Sequence, residues 1–267
     1  YIYTLAYAMQ SAKQYGKTVV VFDRPNPIGG QIVEGNLLNP EYSSFVGLYP
    51  IPLRHGLTVG EIANLFNKEF GINCDLKVIP MTGWKRDMFF DQTGLPWVMP
   101  SPNMPTLDTA VVYSGTGIIG GTNISEGLGT TRPFELVGAP WVEAEALAER
   151  MNQLGLPGAY FRPAYFTPRF GRYQGVLCGG VQIHVTDRRQ YLAVKTAMTL
   201  LDVIRQMSGA KFQFNPTTAK NAAPMIDLYI GDNYFREGKY SLAELLRKWE
   251  AESASFKQLS QKYYLYN

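Results

Sequence analysis

The run Thr18-Val19-Val20-Val21-Phe22 constrains this chain more than any other stretch. Its apolar side chains are consecutive, not alternate, so it predicts a strand buried on both faces, the kind found in parallel sheets covered by helices. The residues before it, from Tyr1 through Ala12, repeat small and aromatic side chains at helical spacing and stop at Gly16. A helix feeding a buried strand is the middle of a β-α-β unit, whose first strand is expected ahead of residue 1. The loop after it carries Pro25, Pro27, Gly29 and Gly30. These force irregular backbone at the strand's carboxyl end, where open α/β sheets hold their ligands.

Later segments extend the pattern. Thr58 with Glu61 three residues on is a capping box, and Ile62, Leu65, Phe66 and Phe70 share one face of the helix it starts, which ends at Gly71. Asp75 to Pro80 reads as a second strand. A loop rich in proline and tryptophan then leads to a short helix near Thr106 to Tyr113. From Pro140 the character changes: a helix over Trp141 to Leu154, a long alternating strand over Gly175 to Thr186, a helix over Gln190 to Met207, and two closing helices, Ser241 to Glu250 and Ala254 to Tyr263. That is an α+β order, and it places a domain boundary near Gly138. The expected class is α/β: residues 1–137 as a partial parallel-sheet domain, residues 138–267 as a smaller α+β domain.

Composition removes several functions. Lys and Arg exceed Asp and Glu by only 25 to 22 and form no block of like charge, so no nucleic-acid partner is expected. No apolar run approaches the roughly 18 residues that span a bilayer. Cys74 and Cys178 lack metal-ligand spacing, and His55 and His184 are too few for a histidine-built zinc site, so no metal is expected. Gly115, Gly117, Gly120 and Gly121 fit neither the dinucleotide fingerprint nor a P-loop, so no cofactor is expected either. There is no nucleophile elbow.

Carboxylates set among glycines remain. Glu34 lies in Val33-Glu34-Gly35, and Glu126 in Ser125-Glu126-Gly127. Glycine neighbours let a ligand come close to a carboxyl held in a tight loop, a setting suited to pKa-tuned acid–base work. Glycoside cleavage commonly takes two carboxyl groups, about 5 Å apart for retention and about 6.5–9.5 Å for inversion, while amides, arginine and aromatic faces hold the sugar. Asn26, Asn103, Asn123, Arg132, Trp84 and Trp97 are residues of that kind. Each has a plain reading as well. Glu34 can be a capping carboxylate, Glu126 can bond nearby amides, His55 can bond local backbone, Arg132 can form a structural ion pair, and His184 can be a half-buried, satisfied histidine.

Taken together, the motifs resemble a bacterial family that includes the NamZ-type exo-β-N-acetylmuramidases. They are Asp23-Arg24-Pro25-Asn26-Pro27 with Val33-Glu34-Gly35, Arg54-His55-Gly56-Leu57-Thr58, Ser101-Pro102-Asn103-Met104-Pro105, Gly121-Thr122-Asn123-Ile124-Ser125-Glu126-Gly127 running to Arg132-Pro133-Phe134-Glu135, Gly179 to Asp187, and the closing Tyr263-Tyr264-Leu265-Tyr266. The resemblance implies a Rossmann-like domain followed by the α+β domain, with the active site between them. It also implies a hydrolase releasing N-acetylmuramic acid from the non-reducing ends of peptidoglycan fragments, in the periplasm or outside the cell. By match, Glu34 and Glu126 are expected to be catalytic, and Asn26, His55, Asn103, Asn123, Ser125 and Arg132 to bind substrate. The alternative is a non-catalytic glycan-binding protein on the same fold; an esterase or deacetylase on the same glycan is a third reading. The family pattern usually has glutamate where this chain has Gly120, arginine at Leu128 and proline at Asn36. It also carries a Pro-Glu-His-Gly motif upstream, a better source for the second carboxyl, which this sequence does not contain.

Overall fold

The computed structural model describes residues 1–217 and 223–267. It opens with α1 (Ile2–Gln14), turned by Gly16 into β1 (Thr18–Phe22). A long loop leads to α2 (Val59–Lys68) and β2 (Asp75–Ile79), which pairs parallel with β1 in register Thr18 to Asp75 through Phe22 to Ile79. The capping box forms as expected: the Thr58 hydroxyl accepts from the Glu61 amide, and the Glu61 carboxylate accepts from the Thr58 amide. Ile62, Leu65 and Phe66 bury against Ala6, Met9 and Val21 to make a first core. Of the predicted two-sided burial of β1 only Val21 is found, for Val20 and Phe22 are exposed.

The second core surrounds an antiparallel sheet in the order β3-β5-β4, with β3 at Leu136–Ala139, β4 at Ala159–Phe166 and β5 at Cys178–Val185. Strand β4, unassigned in the sequence, alternates inward Phe161, Ala164 and Phe166 with outward Tyr160 and Tyr165 despite Pro163. α3 (Leu107–Thr116) lies along α5 (Ala193–Ser208), and α4 (Ala144–Gln153) covers β4 and β5. The contact of α3 with α5 is close enough that a Cβ on Gly115 would fall 2.0 Å from the Ala193 carbonyl oxygen. Gly115 thus serves the packing of the two helices. This core takes in Phe89, Met104 and the buried side of α3, so its buried cluster reaches ahead of the expected boundary at 137/138.

Short helices α6 (Met225–Ile230) and α7 (Tyr234–Glu237) precede α8 (Leu242–Ser260). The two predicted closing helices are this one continuous helix. Leu245 and Trp249 enter the second core and Phe256 the first, so α8 ties the two together. The chain end then returns to the first core. Tyr266 donates to Asp23 at 2.7 Å and accepts from the Met81 amide at 2.8 Å, the Leu265 amide donates to Glu61, and the Arg86 guanidinium lies 3.4 Å over the Tyr264 ring. The chain is thus a mixed α/β protein of two cores bound by a helix and a tail. Among the described residues no helix is long and apolar enough to cross a membrane.

Candidate functional site

A cavity of about 660 Å³ opens between the two cores. Its walls are the first turn of α1, the segment from Asn36 to His55, the end of α3 with the turn to Gly120, the Glu126 loop and the end of α6. The Glu126 loop is fixed from both sides. Ser125 and Gly138 exchange backbone hydrogen bonds of 2.8 and 3.0 Å, and the Phe134 amide donates to the Glu126 carbonyl at 2.6 Å. Phe134 is held at φ 65°, unusual for a large side chain, and Gly127 at φ 77° has no room for a Cβ beside the Leu136 carbonyl. Strain of this kind persists only where surroundings over-determine it, and here it adjoins the one carboxylate that the described residues bring to the cavity.

That carboxylate has no ion pair and no side-chain hydrogen bond among the described residues. Burial pushes the Glu126 carboxyl up from the usual range, opposed by its own backbone amide and by the Arg172 guanidinium. A carboxyl shifted this way holds its proton nearer to neutrality and can donate it. Tyr229, also facing the cavity, is raised by burial and by the nearby Glu126. His55 lines the cavity and accepts the Leu57 amide on Nδ1 at 3.0 Å, which leaves the proton on Nε2. Burial pushes His55 down to about 4, so at neutral pH it is an uncharged donor.

Glu34 lies elsewhere. Its carboxylate accepts from Arg54 at 3.2 Å and from the amides of Ala193 and Val194 at 2.9 and 3.2 Å, with Lys195 at 3.4 Å. Helix α5 has no capping side chain of its own, and Glu34, brought from the other end of the sequence, supplies one. Burial pushes Glu34 up and Arg54 down, and the pairing opposes both shifts. With its oxygens committed to these partners and outside the cavity wall, Glu34 has the geometry of a helix cap.

The other expected binding residues are pins of local structure. Asn26 donates to the Leu57 carbonyl and accepts from the Ile28 amide. Asn123 clamps the 211–213 backbone with bonds of 2.8 and 2.9 Å, and the Ser125 hydroxyl accepts from Gly127. Arg132 pairs with Glu135 at 3.5 Å, and the Asn103 amide donates to the Ser101 hydroxyl. The cavity therefore brings together His55 and Glu126 of the expected set. Trp84 packs edge-on to Tyr266 in a separate cleft of about 410 Å³, and Trp97 bonds the Met104 carbonyl. His184 is half-buried, but its Nε2 has no partner among the described residues. The sequence reading missed Tyr113, Ser114 and Tyr229, which no local motif marks.

A family profile described as "Exo-beta-N-acetylmuramidase NamZ, N-terminal" matches residues 1–108, and one described as "Exo-beta-N-acetylmuramidase NamZ, C-terminal" matches residues 111–266. The chain is 50% identical over its whole length to the peptidoglycan beta-N-acetylmuramidase NamZ of Bacillus subtilis (strain 168), of whose length it spans 64%. Two crystal structures of DUF1343 family proteins from Bacteroides fragilis NCTC 9343 cover all of it and 71% of their own chains, one with TM-score 0.92 at 37% identity and one with 0.76 at 27%. Matched across both halves, from the α1–β1 unit to the closing tyrosines, this chain belongs to the NamZ exo-beta-N-acetylmuramidase family.

Proposed function

We propose that this chain forms the acid-bearing wall of a glycoside hydrolase that releases N-acetylmuramic acid from the non-reducing ends of peptidoglycan fragments. The observation that carries the reading is Glu126, a half-buried carboxyl without a side-chain partner among the described residues, at the edge of a sugar-sized cavity. In its protonated form it donates to the glycosidic oxygen as the bond to the anomeric carbon breaks. Water then adds to that carbon, and its proton returns to Glu126. His55 and the Tyr113 and Tyr229 rings offer an uncharged donor and stacking faces to the ring. The parallel pairing of β1 with β2, with α2 between them in the chain, supports the Rossmann-like reading of the first core. A peptidoglycan substrate agrees with action in the periplasm or outside the cell, in cell wall recycling.

The test is Glu126→Gln assayed on a chromogenic β-N-acetylmuramide. Removing a general acid lowers kcat by about 10²–10⁴-fold, and wild-type kcat falls as pH rises through the raised pKa of Glu126. An undiminished rate in the variant rejects the assignment. A glycan-binding protein without chemistry is the second reading, favoured by the single carboxylate that the described residues bring to the cavity. It predicts calorimetric binding of muramyl ligands with no sugar released.

A further inference from the structure

The closing tyrosines fill only part of the carboxyl edge of the β1–β2 sheet. The rest is the cleft of about 410 Å³, walled by Asp23 and Arg24 past the end of β1 and by Met81, Thr82 and Trp84 past the end of β2, together with Met88. The cavity of Glu126 shares none of these residues. The two charged residues of the cleft are in opposite states. The Asp23 carboxylate is spent on the fold: the amides of Arg24 and Gly60 donate to it at 2.9 and 2.7 Å, and the hydroxyls of Thr58 and Tyr266 at 2.7 Å each. The Arg24 guanidinium is exposed and has no ion pair or hydrogen bond among the described residues. Its backbone is nevertheless fixed, by the bond to Asp23 on one side and on the other by Pro25, which holds the residue before it extended. The cleft thus presents one unspent cation on a fixed base, a Thr82 hydroxyl with no bond of its own among the described residues, and thioether and indole walls.

We propose that this cleft is a second binding site, for a carboxylate whose α-carbon carries a methyl group. The carboxylate takes the Arg24 fork and the Thr82 hydroxyl, and the methyl lies on Met81, Met88 and Trp84. Open α/β sheets hold ligands at this edge of their strands. One unpaired cation suits a single negative charge, whereas a phosphate dianion calls for a run of free amides or a second cation, and the amides of Arg24 and Met81 are already taken. Peptidoglycan fragments carry the α-methyl carboxylate in two places, the lactyl ether of the muramyl unit and the alanine that ends a stem peptide. The choice of ligand rests on the reading of the substrate as a peptidoglycan fragment and not on the role of Glu126. From either source, the cleft holds a fragment by a feature that N-acetylglucosamine lacks, and no bond is made or broken there.

The experiment follows the Trp84 indole N–H, which has no acceptor among the described residues, in ¹H–¹⁵N spectra, its signal being identified by its loss in Trp84→Phe. N-acetylmuramic acid, D-alanyl-D-alanine, N-acetylglucosamine and inorganic phosphate are each titrated into wild type at matched ionic strength. The proposal expects a saturable shift with N-acetylmuramic acid or with the dipeptide, and the one that binds names the source; a response to both assigns the shared group itself. N-acetylglucosamine, the same ring without the lactyl ether, and phosphate leave the signal in place. Arg24→Gln weakens binding by about tenfold or more, the scale of one lost charged hydrogen bond. Its thermal unfolding midpoint stays unchanged, because the guanidinium bonds nothing in the fold. No shift with either carboxylate, an equal response to N-acetylglucosamine or phosphate, or undiminished binding in Arg24→Gln overturns the site. The hydrolase reading is judged apart from it. Sugar release without binding here overturns the cleft alone, and binding here by a protein that releases no sugar leaves the cleft standing while the hydrolase reading falls.

Discussion

Glu34 and Glu126 each sit in a loop beside glycine, the first buried and the second half-buried, yet their fields differ. Glu34 is met by a guanidinium and by the uncapped amides of α5, a set of donors that stabilises its charge. Glu126 is met by a tyrosine and by open cavity. Removing Glu34 leaves Arg54 charged, 3% exposed and without its partner, so Glu34→Ala should cost about 3–5 kcal/mol in urea unfolding. Glu34→Gln keeps an acceptor for the helix amides and should cost less. Glu126 has no ion pair or side-chain hydrogen-bond partner among the described residues to set against its burial. A carboxyl whose folded pKa lies above its unfolded value weakens the fold as pH rises past the unfolded value, and the penalty is complete above the folded one. Glu126→Gln should therefore raise the thermal midpoint at pH 8 and leave it unchanged near pH 3. A midpoint that rises equally at both pH values contradicts the raised pKa.

Helix α2 was legible in the sequence because everything that defines it is local: the capping box, the apolar face and the stop at Gly71 lie within fourteen residues. β1 was read correctly as a strand but not in its burial, since what covers a strand is decided far away in the chain. β4 was hidden by Pro163 and α8 was divided in two, because a single amphipathic stripe serving two cores does not show one apolar period against one partner. The site follows the same rule. The glycine-flanked loop of Glu126 carried a local signal, whereas the cap that Glu34 provides depends on a helix some 160 positions later. Tyr229 became a site residue only when α6 packed against the turn at Gly121. At α2 the local signal also marks a junction, for the Thr58 hydroxyl accepts from Glu61 and donates to Asp23 at 2.7 Å, tying the helix start to the end of β1. Thr58→Ala should cost about 2 kcal/mol, the upper range for a lost cap. Thr58→Ser keeps both bonds and should recover most of it in the same urea titration.

At the scale of the molecule, the cavity exists because two cores are held at a fixed spacing, and the elements that hold them come from the end of the chain. α8 crosses from one core to the other, the Ser253 hydroxyl donates to the Gly35 carbonyl at 2.6 Å, and Lys257 reaches the Gln31 carbonyl. Beyond it the last residues fill the carboxyl edge of the β1–β2 sheet. Asp23 there takes donors from Arg24, Thr58, Gly60 and Tyr266, the last arriving from 243 positions away. Buried polar groups that depend on so distant a partner lose their satisfaction together when it leaves. Tyr266→Phe keeps the ring against Trp84 but strips the Asp23 carboxylate of one donor and the Met81 amide of its acceptor. It should cost about 1–3 kcal/mol, and it should act on one core alone. Amide hydrogen exchange of β1 and β2 is expected to speed up while that of β3, β4 and β5 holds, because among the described residues the antiparallel sheet shares no hydrogen bond with the tail. If both sheets exchange faster together, the two cores open as one unit, and the tail is then a part of global folding and not a clasp on the first core.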